Sequence, residues 1–425
     1  MNNISKSLFS SFKIIGRLVG LVGPGIYCLG YTIGTGSVTS MAVAGSSYGM
    51  TMLWVLGLSC FFSIVMIEAS GRFASVTGKG LLFTIKKEFF LGGIFSWVII
   101  AGILIAQWFA ITAILSLCSN LAYQILRMIF ISLPEENRTG TIIIAFFFIS
   151  SIFCLLKVGR YDFFEKILVA MVALMALAFF ITLILVPPEL HLVLEGFYFR
   201  LPKEEGGLFM GAAFVGTTMA AAAFIARPLF IKGKGWGKDR INTQRNDAIF
   251  SGVLMFAVSA SIMAVATTVL FLQGQKIESV IDMLALLEPL AGSAGALLFA
   301  LGTLCAGLSS IFPAAMILPI MLADREKGNL DTSSPRFRKL VLYACLFGMI
   351  VPILGWNPVI TQIATQIAGV FILPLSVACI AFLVCNKQLM GTYVPDWKGK
   401  ILIIFAFFFA CTASIAGIVA LWNFF

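Results

Sequence analysis

Long apolar runs separated by short, mostly basic polar segments make up nearly the whole chain. Eleven runs are long enough to cross a bilayer: roughly 14–46, 51–76, 92–118, 141–157, 165–187, 206–232, 247–273, 291–323, 338–355, 358–386 and 399–424. A helical span needs about 20 residues, so the pattern predicts an all-α integral membrane protein with 11 transmembrane helices. The runs at 141–157 and 338–355 are the shortest. Two runs carry polar punctuation at mid-span. The first holds Gly34-Thr35-Gly36-Ser37. The sixth holds Gly211 and Gly216, then Thr217-Thr218-Met219 and the alanines from Ala220 to Ala223. Glycines and hydroxyls at bilayer depth predict broken helices, which are tolerated only where they line a cavity.

The two interrupted runs divide the chain near residue 190. Residues 14–187 form a first set of five spans and 206–386 a second set, with 399–424 left over. Five is odd, so the second set enters the membrane with the opposite orientation. Paired discontinuous helices in two inverted halves point to a solute site at the midplane of a secondary transporter. Small residues also let helices pack closely without any site. That plainer reading serves for one of the two runs better than for both.

Composition and charge narrow the class. Apolar residues are 60% of the 425 and charged ones 11%, a balance no soluble domain of this length sustains. With the N-terminus placed in the cytoplasm, only Arg127, Arg138, Arg200, Lys203 and Lys276 of the 29 basic residues fall outside. That asymmetry obeys the positive-inside rule and puts the C-terminus outside. The net charge of +10 is therefore spread over cytoplasmic segments facing an anionic leaflet, and is not a nucleic-acid footprint. The expected location is the inner or plasma membrane, with residues 1–425 forming a single transporter domain. The nine cysteines lie mostly in apolar runs as small buried hydrophobes, with no CxxC spacing. The one histidine, His191, is in a loop. An integral-membrane enzyme needing clustered His, Asp or Glu is excluded, and no cofactor is expected. No GxxxxGK[ST] sequence is present to bind ATP. A channel would need a continuous polar path.

Several stretches resemble a known family. Gly23-Pro24, Gly34 to Ser37, Ala44-Gly45-Ser46-Ser47-Tyr48-Gly49 and Leu53-Trp54-Val55 are similar to the first two helices of NRAMP divalent-metal transporters. Val76-Thr77-Gly78-Lys79, Ala306-Gly307-Leu308-Ser309-Ser310 and Asn386-Lys387-Gln388-Leu389-Met390-Gly391 extend the likeness over residues 15–395. The resemblance implies the LeuT-like fold of the APC superfamily, a 5+5 inverted repeat with helices 1 and 6 broken, plus one extra C-terminal helix. It also implies where metal ligands should be, and there the chain departs. The family's DPGN in helix 1 becomes Gly34 to Ser37, without Asp or Asn. The metal-binding Met of helix 6 becomes Ala220, with Thr217 at the carbonyl position. Two helix-6 histidines become Ala222 and Arg227, and acidic helix-3 positions become Gln107 and Ala110.

The candidate substrate site is thus Gly34, Thr35, Gly36, Ser37, Thr217, Thr218 and Ala220, with Gln362 and Gln366 from the tenth span. Stripping a transition ion of water takes carboxylate, imidazole or thioether donors, so tight binding of dehydrated Mn²⁺ or Fe²⁺ is not expected. A largely hydrated divalent cation such as Mg²⁺ suits hydroxyls and amides better, in a pocket widened by the loss of side chains. A small neutral or anionic solute is the alternative, because a half-helix beginning at Ser37 aims free N–H groups at the cavity. A non-transporting sensor or scaffold is a further one. Glu68 and Arg72, four apart on one helix face, together with Gln107 and Arg227, are gating or coupling candidates; Glu68 and Arg227 form the expected pair. Pro228, Pro313 and Pro319 should bend their helices. The partners expected are the lipid bilayer and the solute, with the chain a monomer.

Overall fold

Backbone N–H and C=O groups find no water in hydrocarbon, so an uninterrupted apolar run satisfies them by winding into a helix. The computed structural model describes residues 33–424 except 131–132, 135–136, 159–160, 201, 203–205, 286–287 and 328–332. Every regular element among the described residues is helical. The main ones are α1 (Thr35–Tyr48), α2 (Leu53–Thr77), the short α3 (Leu81–Glu88), α4 (Gly92–Ile129), α5 (Arg138–Val158) and α6 (Tyr161–Leu185). They continue with α7 (Gly207–Thr218), α8 (Ala221–Gly233), α9 (Ile241–Val269), α10 (Glu288–Lys327), α11 (Pro335–Gly348), α12 (Pro358–Val370), α13 (Leu373–Cys385) and α14 (Trp397–Phe424).

Nine helical stretches among the described residues are long and apolar enough to cross a membrane, against the eleven runs expected. The other two runs are represented by shorter pieces. One is α1, since the earlier part of the first run lies outside the described residues. The other is the apolar stretch Ala170–Leu185 of α6.

The sixth run is broken where its glycines and hydroxyls suggested. α7 stops at Thr218; Met219 (φ −96, ψ 56) and Ala220 (φ −68, ψ 111) leave helical geometry, and α8 starts at Ala221. α1 begins at Thr35, two residues before the expected Ser37, with Gly34 extended (φ −102, ψ −172) as its N-cap. Whether the first run is helical before this point is a matter of residues outside those described. The tenth run is also interrupted, between Val370 and Leu373. Pro374 accounts for that: it has no N–H to donate to the carbonyl of Val370, four residues earlier, so the helix breaks there and restarts with Pro374 in its first turn. Pro228 in α8, and Pro313 and Pro319 in α10, stay within continuous helices.

α4 and α10 are the longest helices and pack most extensively on each other. α9 packs along α1 and α2, and α12 along α4 and α7. Close approach is set by glycines. A Cβ on Gly216 of α7 would run into the backbone carbonyl of Gln366 on α12. α14 lies against α7 and α13. Only 28% of its apolar window is buried, against 83% for that of α10, so α14 belongs to the lipid-facing rim. Cys154 is exposed there too, unlike the buried Cys60, Cys118, Cys345 and Cys379.

Candidate functional site

The head of α1 and the tail of α7 meet at a cavity of about 30 Å³. Gly34 and Gly36 line it from α1, Thr217 from α7, Ser310 from α10, Gln107, Ala110 and Ile114 from α4, and Gln362 and Gln366 from α12. Helical periodicity presents each set. Gln107, Ala110 and Ile114 recur at three and seven positions, and Gln362 and Gln366 at four, so each set shares one face.

Among the described residues, no ionisable side chain lines this cavity. Its polar groups are the three glutamine amides, two hydroxyls and backbone. The Thr35 hydroxyl donates to Gln362 Oε1 at 3.3 Å. Gln362 is fully buried and, among the described residues, its Nε2 has no hydrogen-bond partner. Gln366 Nε2 reaches the Thr365 hydroxyl only at 3.5 Å. α1 has no side-chain cap, and the first N–H groups of a helix lack intrahelical acceptors. The positive end of α1 and the negative end of α7 therefore border the same space.

The pocket is not widened as expected. A Cβ on Gly34 would overlap the Ser310 side chain, and one on Gly36 would overlap the amide of Gln366 and lie 3.0 Å from Gln362 Nε2. The room left at position 34 is taken by Ser310 of α10.

Five of the nine predicted substrate residues come together: Gly34, Gly36, Thr217, Gln362 and Gln366. Thr35 stands behind Gln362. Ser37 turns away to share a 3.0 Å hydrogen bond with Ser259 of α9. Thr218 faces α2, where Ser59 meets its hydroxyl and Ser63 donates to its carbonyl at 2.7 Å. Ala220 is the buried N-cap of α8 and does not line the cavity. Gln107, expected as a coupling residue, is part of the cavity wall. Its neighbour Trp108 packs on Phe347 of α11, ring centroids 5.3 Å apart. Ser310 was missed, although it closes the Ala306–Ser310 run quoted above; only its depth in the tertiary structure marks it.

The charged candidates form a second group, buried at Arg227 and part-buried at Glu68 and Arg72. Glu68 Oε1 accepts from Arg72 Nε at 2.9 Å and Nη2 at 2.8 Å. Arg227 does not depend on Glu68 for its counter-charge: its Nη2 donates to Asp247 Oδ2 and to the Gln244 carbonyl, both at 3.0 Å. The Gln244 side chain donates to Glu68 Oε1 at 3.3 Å and so links the two pairs. The expected Glu68–Arg227 pair is replaced by a relay across α2, α8 and α9. Asp247 was overlooked; an acidic residue at the start of an apolar run, after Arg240 and Arg245, was the available signal. Asp324 was overlooked as well. Buried near the end of α10, it accepts the Leu82 N–H at 2.8 Å and thereby caps α3.

Comparisons with known proteins agree with this architecture. Residues 26–420 match Nramp, described as Natural resistance-associated macrophage protein-like. The chain belongs to the Nramp family. Relatives of this membrane transporter include a divalent metal cation transporter MntH of Pectobacterium carotovorum, 23% identical over 388 residues and covering 90% of each chain. A protein of the same description from a Nostoc strain is 26% identical over 403 residues, covering 90% of this chain and 86% of its own. The fold is similar to that of the Eremococcus coleocola manganese transporter, with TM-score 0.73, 14% identity, and 95% and 86% of the two chains covered. MhsT, solved in complex with L-phenylalanine, gives TM-score 0.62 at 15% identity, covering 95% and 98%. The fold is the LeuT-like one. Among the described residues of this Nramp-family chain, no group of three or more His, Cys, Asp or Glu side chains is placed to hold a metal ion.

Proposed function

We propose that this Nramp-family transporter carries a divalent cation that keeps much of its water, Mg²⁺ foremost, by alternating access around the α1–α7 cavity. One observation carries the reading: among the described residues, the cavity wall offers amide and hydroxyl oxygens and no carboxylate, imidazole or thioether. Such donors suit an ion held through its waters and are poor at replacing the shell of Mn²⁺ or Fe²⁺. The relatives named for divalent metal transport support a cation as cargo. In the conformation described the cavity is small, about 30 Å³, and the Ser310, Gln362 and Gln366 side chains crowd Gly34 and Gly36, so loading an ion with its shell of waters requires α1 and α7 to part from α12. The Glu68–Arg72–Gln244–Arg227–Asp247 relay ties α8 to α2 and α9 and is the element we assign to the cytoplasmic gate, with the N-terminus inside and the C-terminus outside. Transport of a small neutral or anionic solute is a second reading, favoured by the unpartnered Gln362 Nε2.

Thermal unfolding of the purified protein tests the assignment, because a ligand of the native state raises Tm by mass action. Millimolar Mg²⁺ should stabilise wild type and lose that effect in Gln366→Leu. A large shift with micromolar Mn²⁺ overturns the reading. A shift with small solutes and none with Mg²⁺ selects the second one.

A further inference from the structure

A divalent cation in a wall of neutral groups lacks a counter-charge, and an unbalanced charge at bilayer depth is costly. The same cavity contains the means to supply one. Gln362 is fully buried, its Oε1 is engaged by Thr35, and its Nε2 has no partner among the described residues. Buried donors without acceptors are rare and call for an explanation. That nitrogen lies 3.0 Å from where a Cβ on Gly36 would stand, and Gln366 Nε2 crowds the same point. Gly36 is the second residue of α1, a helix of 14 residues whose head has no side-chain cap. Two amide nitrogens and a helix N-terminus thus converge on one small space. Free N–H groups at the positive end of a helix dipole suit a negative ligand.

We propose that Gln362, with Gln366 and the head of α1, seats a small monovalent anion that offsets half of the cation's charge during transport. The proposal rests on the cation reading above. The chemical class is a halide or a carboxylate of formate's size, matched to the narrow space between the Gln362 and Gln366 amide nitrogens and the head of α1. Thr217, at the carbonyl end of α7, carries the opposite sign of dipole and marks the side on which the cation belongs. The site then takes from solution the negative charge that its own side chains lack.

The test compares chloride, formate and gluconate salts at equal ionic strength on the purified full chain, reading Tm and Mg²⁺ affinity. Chloride or formate should raise Tm over gluconate and tighten Mg²⁺ binding about tenfold, a coupling of about 1.4 kcal/mol that must act equally in both directions. Whichever of the two gives the larger effect identifies the anion. Gln362→Glu places a fixed negative charge in the seat, so Mg²⁺ binding should become independent of the anion. If that variant does not fold, Gln362→Leu should abolish the anion-dependent rise in Tm. Equal Mg²⁺ affinity in all three salts, or anion dependence that persists in both variants, overturns the proposal. An anion effect on Tm that Gln362→Leu removes, without Mg²⁺ binding in any salt, upholds the anion seat and rejects the cation as cargo.

Discussion

Replacing Asp247 by alanine tests the buried relay. Its side chain and that of Arg227 are 2% and 0% exposed, and the two are joined at 3.0 Å. Removing one partner of such a pair costs about 3–5 kcal/mol, because the remaining charge stays buried. Arg227 keeps its hydrogen bond to the Gln244 carbonyl, which places the expected loss near the lower bound, at about 3 kcal/mol. The double variant Arg227→Met, Asp247→Leu removes both charges and fills the space with apolar atoms. It should lose far less than the sum of the singles, with a coupling of about 2 kcal/mol or more. Tryptophan fluorescence during SDS titration of the reconstituted protein measures all four corners of the cycle. If the relay is also the cytoplasmic gate, Asp247→Ala should depress uptake into vesicles while the Mg²⁺-dependent rise in Tm survives. Additive losses would refute the coupling, and unchanged uptake in stably folded Arg227→Ala would refute the gating role.

Gly36→Ala should fold, because its Cβ meets only the flexible ends of Gln366 and Gln362; it should abolish the ligand-dependent Tm shift by filling the cavity. Gly216→Ala meets the rigid Gln366 carbonyl instead and should destabilise by about 1–3 kcal/mol, seen as a lower midpoint in the same titration. Ser63→Ala removes the hydrogen bond to the Thr218 carbonyl at the helix break and should lose about 1 kcal/mol. Asp324→Ala strips the cap from α3. It should cost about 1–2 kcal/mol, and proteolysis between Thr77 and Leu81 should accelerate, while Asp324→Asn, which retains an acceptor, should lose less.

The hydropathy of the chain was enough to announce a multi-pass all-α membrane protein, because hydrocarbon permits little else to an apolar run of span length. The punctuation at Thr217–Ala220 located the break between α7 and α8 to within a residue or two, since local backbone preference acts over a few neighbours. The uncharged character of the described lining residues Gly34, Gly36, Gln107, Thr217, Gln362 and Gln366 was likewise readable in the sequence. Packing decided the rest. Only contacts between helices far apart in sequence could show that Ser310 and the two glutamines of α12 occupy the room at Gly34 and Gly36. The choice of Asp247 as partner for Arg227, and of Asp324 as cap for α3, has the same origin. Charge order along a chain does not say which helices will be neighbours, and a buried ion finds its counter-ion wherever the fold brings one within reach.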